Sequence, residues 1–249
     1  MSKNMTVEKT FASAIQNHQK NNFKAAEDLY NQILEIDPNH IKTIFFLGTL
    51  SVQTKNFDRA KQMLQKTIQA QPNNVDAYNN LGVVFKEFEE FQKAKDCFEK
   101  VIQIQPKHVD ALNNLGNVFK QLNEPQKAIN YYQKAIEIEP SYINAHQDLM
   151  DVCEKTNQIT ELKDAVSNAR TFFKDNSIIK LYEGILLSRN EKFVEAKNCL
   201  ELISFGADEI NKEISRVSTL AKCYDRIGGT DKAFNYFKKA NLLSQKTKM

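Results

Sequence analysis

Four prolines, Pro38, Pro72, Pro106 and Pro140, stand 34 residues apart, and other residue types keep the same step. Gly48, Gly82 and Gly116 share the phase, as do Leu47, Leu81, Leu115 and Leu149, and Ala26, Ala60, Ala94 and Ala128. A period written in several residue types at once marks a stacked supersecondary unit, which buries its apolar face only against its neighbours. Function in such a chain is expected on an extended exposed surface rather than in one central pocket.

With proline near the end of each unit, the repeats run 7–40, 41–74, 75–108 and 109–142. Each divides into two helical patterns. In the third, Leu81, Gly82 and Phe85 share one helix face, and Phe91, Ala94, Phe98, Val101 and Ile102 recur at three-to-four spacing on the next. A glycine inside a helix costs about 1 kcal/mol relative to alanine and is expected where a side chain would obstruct a neighbour. Ala60, Ala94 and Ala128 supply the small residue on the second helix, and Leu64, Phe98 and Tyr132 fill the space beside it. Proline then ends the second helix, because it lacks the amide donor and disfavours helical geometry before it.

The phase continues in weaker form. Unit 143–176 keeps Leu149, Ala169 and Phe172 but has Met150 for glycine, Leu162 for alanine and Lys174 for proline. Unit 177–213 carries a three-residue insertion near Ser204–Asp208, and unit 214–247 recovers the marks as Leu220, Ala221, Tyr224, Ala233, Phe237 and Ala240. Gly228 and Gly229 form its turn. The expectation is one all-α array over residues 1–249, with about seven helix-turn-helix units.

Charge and composition narrow the function. Lys plus Arg total 34 against 31 Asp plus Glu, a net +3 too small and too mixed to predict nucleic-acid binding. No stretch reads as a secretory segment or membrane span, so a cytoplasmic protein with no membrane partner is expected. Cys97, Cys153, Cys199 and Cys223 form no metal-ligand spacing and read as buried thiols. His18, His40, His108 and His146 lie far apart, with His40 and His108 at one repeated loop position. No phosphate loop, nucleophile elbow or HExxH motif occurs. These features predict a non-enzyme with no catalytic residues, no metal and no cofactor.

The pattern of Leu-Gly, aromatic, Ala, aromatic and Pro over 34 residues resembles the tetratricopeptide repeat family, most strongly over residues 41–142. That resemblance implies a right-handed α-solenoid whose first helices line a concave groove. It further implies that the groove holds an extended peptide or protein segment, and that set places on each first helix face the ligand. In the second unit these are Lys42, Phe45, Phe46, Thr49 and Val52; in the third Asp76, Asn79, Asn80, Val83 and Lys86; in the fourth Asp110, Asn113, Asn114, Asn117 and Lys120. The fifth unit adds Asn144, Gln147, Asp148, Asp151 and Glu154, and the sixth turns apolar with Leu181, Tyr182 and Ile185.

An amide carries a donor and an acceptor, so a file of asparagines can pair with peptide backbone whatever the side chains are. Phe45 and Phe46 are adjacent on one helix and cannot both enter one core; one is expected in the groove or against Phe11 or Ile15. Recognition of a chaperone's C-terminal carboxylate is disfavoured, because Asp148 and Asp151 would repel it. Asn79-Asn80-Leu81-Gly82 and Asn113-Asn114-Leu115-Gly116-Asn117 resemble the asparagine-rich helices in the repeat arm of O-linked N-acetylglucosamine transferase. The stretch from Lys222 to Asn241 resembles repeats that precede bacterial sulfotransferase domains. Both likenesses imply an alternative, a substrate-presenting arm of a transferase. A last helix over Asp231–Leu243, with Phe234 and Phe237 on it, is a further expectation, serving as a cap or as the contact of a homodimer through terminal repeats.

Overall fold

The computed structural model describes residues 2–247, with side chains from Val7 onward. Among the described residues there are fourteen α-helices and no strand. They alternate as first and second helices of hairpins: α1 (Ser2–Gln19) with α2 (Phe23–Ile36), α3 (Ile41–Gln53) with α4 (Phe57–Ala70), α5 (Val75–Glu87) with α6 (Phe91–Ile104), and α7 (Val109–Gln121) with α8 (Pro125–Ile138). Then come α9 (Ile143–Lys155) with α10 (Ile159–Phe172), α11 (Ser177–Arg189) with α12 (Phe193–Glu201), and α13 (Ile210–Arg226) with α14 (Thr230–Lys246). The described residues group into two compact units that divide after Ile138, the first holding α1–α8 and the second α9–α14.

Small-to-large packing joins each pair. A methyl added at Gly82 would meet the Phe98 ring at 2.7 Å, one at Gly184 would meet Leu200 at 2.5 Å, and one at Gly48 would meet Leu64 at 3.2 Å. Gly116 stands in the same relation to Tyr132. Ala26, Ala60, Ala94 and Ala128 on the second helices are fully buried, as the periodicity predicts. In the degenerate hairpin α9–α10 the sizes are exchanged: Met150 and Leu162 are fully buried where the other hairpins carry Gly and Ala. His146 joins them in that core, its Nε2 donating to Pro140 O at 2.9 Å between the rings of Phe172 and Phe173. Burial pushes its pKa below the usual histidine value, partly offset by that bond.

Every hairpin turn repeats one backbone motif. The residues at 21, 55, 89, 123, 157 and 191 are all left-handed, with φ between 57 and 60°, and Gly228 follows at φ 82°. The next amide reaches back five residues in each, as in Asn56 N to Ser51 O and Glu124 N to Phe119 O, both 2.8 Å. This 6→1 closure satisfies a carbonyl that the helix end would otherwise orphan.

The first helices α3, α5 and α7 are capped by side chains. His40 Nδ1 accepts from Thr43 N at 3.3 Å, Asn74 Oδ1 from Ala77 N at 2.9 Å, and His108 Nδ1 from Ala111 N at 3.2 Å. The paired histidines of the sequence are therefore helix caps. Asn74→Ala removes one cap and is expected to lower stability by about 1 kcal/mol in denaturant titration.

The insertion also acquires a physical account. After α12 a 3-10 turn, Ala207–Glu209, leads into α13, whose first turns carry the buried pair Glu213 and Arg216. Arg216 donates to both Glu213 oxygens at 2.7 Å and to Leu200 O at 3.1 Å. Glu213 also accepts from Lys239 Nζ at 2.8 Å and from Phe205 N at 3.3 Å. One carboxylate thus ties the inserted loop to α13 and α14, and its arginine ties α13 to the end of α12.

Candidate binding faces on the first helices

In the first unit the expected face is built by α3, α5 and α7, and its amides are partly committed to one another. Asn80 Nδ2 donates to Thr49 Oγ1 on the preceding first helix at 3.1 Å. Lys86 Nζ donates to Asn114 Oδ1 on the following one at 3.3 Å. Tyr132 OH donates to Asn117 Oδ1 at 3.0 Å, which links α8 to α7. Asn113 is buried, whereas Asn79, Asn80, Asn114, Asn117, Lys86 and Lys120 are half-buried. The polar file therefore stitches successive hairpins, and it also leaves groups over. Among the described residues Asn80 keeps its Oδ1 and Asn114 its Nδ2, one acceptor and one donor a period apart.

Phe46 settles on the first hairpin. Its ring lies 5.6 Å from Phe11 and stacks on Tyr30 at 6.4 Å, and Phe45 makes an edge contact with it at 5.2 Å. Both phenylalanines remain half-buried. Phe46 also walls a cavity of about 320 Å³ together with Ile15, His18, Thr49 and Gln53. His18 Nε2 lies 2.8 Å from Gln53 Oε1, so that nitrogen carries the proton and Nδ1 accepts from Tyr30 OH at 3.2 Å. Burial raises the Tyr30 phenol to about 12, which keeps it a donor. His18, read from the sequence only as one of four scattered histidines, and Gln53 are not among the positions expected on the face, although His18 falls in the phase of Lys86 and Lys120.

The second unit offers a separate face. Gln147, Asp148, Asp151 and Glu154 of α9, Leu181 and Tyr182 of α11, and Asn211, Lys212, Ile214 and Ser215 of α13 line a cavity of about 470 Å³. Its charges are internally paired: Asp151 with Lys155 at 3.0 Å and Glu154 with Arg189 at 2.9 Å. Tyr182 is buried, and its phenol is pushed far above the usual value by that burial and by Asp151, Glu154 and Asp148. Leu181 and Ile185 are buried as well, so the apolar positions of α11 serve the core of this unit. The contribution of α13 was hidden in the sequence, because the insertion shifts where that helix begins.

Among the described residues no three His, Cys, Asp or Glu side chains converge on a metal site, and no helix is long and apolar enough to cross a membrane. Burial pushes the thiols of Cys97 and Cys153 up to about 12 and about 11, values of inert sulfur.

Hairpins packed side by side, with first helices presenting polar rows, define a helical-repeat protein. Models of the tetratricopeptide repeat match residues 18–82, 75–108 and 109–142, which together span half of the chain. The chain belongs to the tetratricopeptide repeat family. No curated protein matches it. Among solved structures, MamA is 27% identical over 65% of this chain and 96% of its own, with a TM-score of 0.59. A tetratricopeptide repeat protein from Parabacteroides merdae is 16% identical over 96% of this chain and 93% of its own, with a TM-score of 0.69. YrrB is 18% identical over 84% of this chain and 97% of its own, with a TM-score of 0.57.

Proposed function

We propose that this protein is a non-catalytic interaction scaffold whose α3–α5–α7 face holds an extended peptide segment. The observation that carries the reading is the pair of groups left over after the hairpins are stitched. Asn80 retains an acceptor and Asn114 a donor, in the same register on successive first helices. An extended backbone presents donors and acceptors in alternation, so it can meet both without regard to side chains. The cavity beside Phe46, His18 and Gln53 then offers a place for one side chain and supplies what selectivity there is. Membership of a family of interaction modules supports the reading, and YrrB is described as having an unusual peptide-binding site.

The test uses peptides selected from a displayed random library on the full chain. Replacing Asn80 and Asn114 together by alanine is expected to weaken the selected peptides about tenfold, the loss of one to two hydrogen bonds. Helicity should be unchanged, because both side chains are half-buried and neither sits in a core. Asn117 is left alone, since its removal would also strip the partner of Tyr132 OH. Selected peptides that bind the double variant as tightly as the parent would sink the assignment.

A further inference from the structure

The first and last hairpins of the chain are finished differently. In α1, Lys9, Thr10, Ser13, Gln16 and Asn17 stand one period before Thr43, Ile44, Leu47, Leu50 and Ser51, which are all buried. The α1 set is polar and exposed or half-exposed. This face of α1 is thus water-compatible.

Helix α14 lacks such a finish. Phe237 falls in the register of Tyr30, Leu64, Phe98, Val166 and Leu200, each no more than 5% exposed, yet Phe237 is 50% exposed. Phe234 is 69% and Leu242 52% exposed, and the three recur on one side of the helix. Elsewhere the covering element is visible: Phe46 of the next first helix stacks on Tyr30 of α2. No described element follows α14 to do the same.

We infer that the outer face of α14 is a docking surface for an amphipathic α-helix of a partner protein, one with an apolar stripe and acidic flanks. A helix fits because the one such contact in this register that runs to a following hairpin, Tyr30 of α2 on Phe46 of α3, is made with a helix. Acidic flanks fit because α14 carries Lys232, Lys238, Lys239 and Lys246 against Asp231 alone. Lys239 is taken by Glu213, while Lys238 and Lys246 have no carboxylate partner among the described residues. A second copy fits poorly in either orientation. Its α14 would bring the same lysines against these, and its α1 would lay a polar row on Phe234 and Phe237. This inference stands apart from the peptide-binding face of the first unit.

The experiment measures fluorescence anisotropy of a labelled, lactam-bridged helical peptide of about 18 residues, long enough for several turns of helix. It bears leucines at i, i+3, i+7 and i+10 with glutamates beside them. The control peptide has the same composition with the leucines scattered. Saturable binding of the patterned peptide to the full chain is expected, weakened at least about tenfold by Phe234→Ser with Phe237→Ser and by raised salt. Both residues are exposed, so the double variant should melt like the parent. Asn80→Ala with Asn114→Ala should leave this binding unchanged, which separates it from the peptide face of the first unit. Equal binding of the scattered control, binding that survives the double serine variant, or no saturable binding would overturn the inference. So would a dimer in sedimentation of the full chain that Phe237→Ser dissolves, since the face would then belong to a second copy.

Discussion

Glu213→Ala is expected to destabilise the second unit by about 3–5 kcal/mol, because it strands a buried guanidinium without its counter-charge. Arg216 is 7% exposed and would keep only its bond to Leu200 O. Lys239 and the Phe205 amide lose their acceptor as well, so the inserted loop and α14 should loosen together. Denaturant unfolding reads the total, and amide exchange should show the loss concentrated in α12–α14. Acid provides a second reading of the same interaction. Burial alone would raise the Glu213 pKa, but bonds from Arg216 and Lys239 outweigh it and hold the carboxyl at about 2 instead of 4.5. A carboxyl with a depressed folded value stabilises fully above its unfolded value and loses that contribution as pH falls toward the folded one. The gap between the parent and Glu213→Gln should therefore be full near neutrality and close as pH falls from about 4.5 to about 2. A gap that stays constant across that window would remove the ion pair as its source.

The fold was legible because packing in each hairpin is local and uses a few residue types repeatedly. Gly82 against Phe98 and Gly184 against Leu200 are size pairs that any reader of the period can find. The insertion was legible as a slip of phase, but its consequence was not. Arg216 stands where other units place Thr43, Ala77 or Ala111, and an apolar pattern cannot announce a buried salt bridge. The binding face was readable to the level of which helix positions could line it. What escaped was the use of those amides between hairpins, because Asn80 with Thr49 and Lys86 with Asn114 depend on how neighbouring helices are offset. The same limit concealed the joining of His18 and Gln53, 35 residues apart, across two hairpins.

Turn geometry escaped for another reason, and it yields the second large expectation. Six of the seven left-handed turn residues carry side chains, and only Gly228 is the residue that position favours. Asn21, Asn123 and Asn157 tolerate the conformation through their short polar side chains, but Lys55, Glu89 and Glu191 have no such relief. A side chain there costs about 1–2 kcal/mol, of which glycine's greater freedom in the unfolded chain returns part. Lys55→Gly, Glu89→Gly and Glu191→Gly should each stabilise by about 0.5–1 kcal/mol, and the triple variant by about 1.5–3 kcal/mol. Nothing offsets the gain, since all three side chains are exposed and none forms an ion pair among the described residues. Lys55 and Glu89 lie in the first unit and Glu191 in the second, so thermal melts of the single variants should move the transition of the unit that holds each. Unchanged melting in all three would mean that the turns relax out of the left-handed region at little cost. The 6→1 bonds that close them would then contribute far less than their regular recurrence at 34-residue spacing implies.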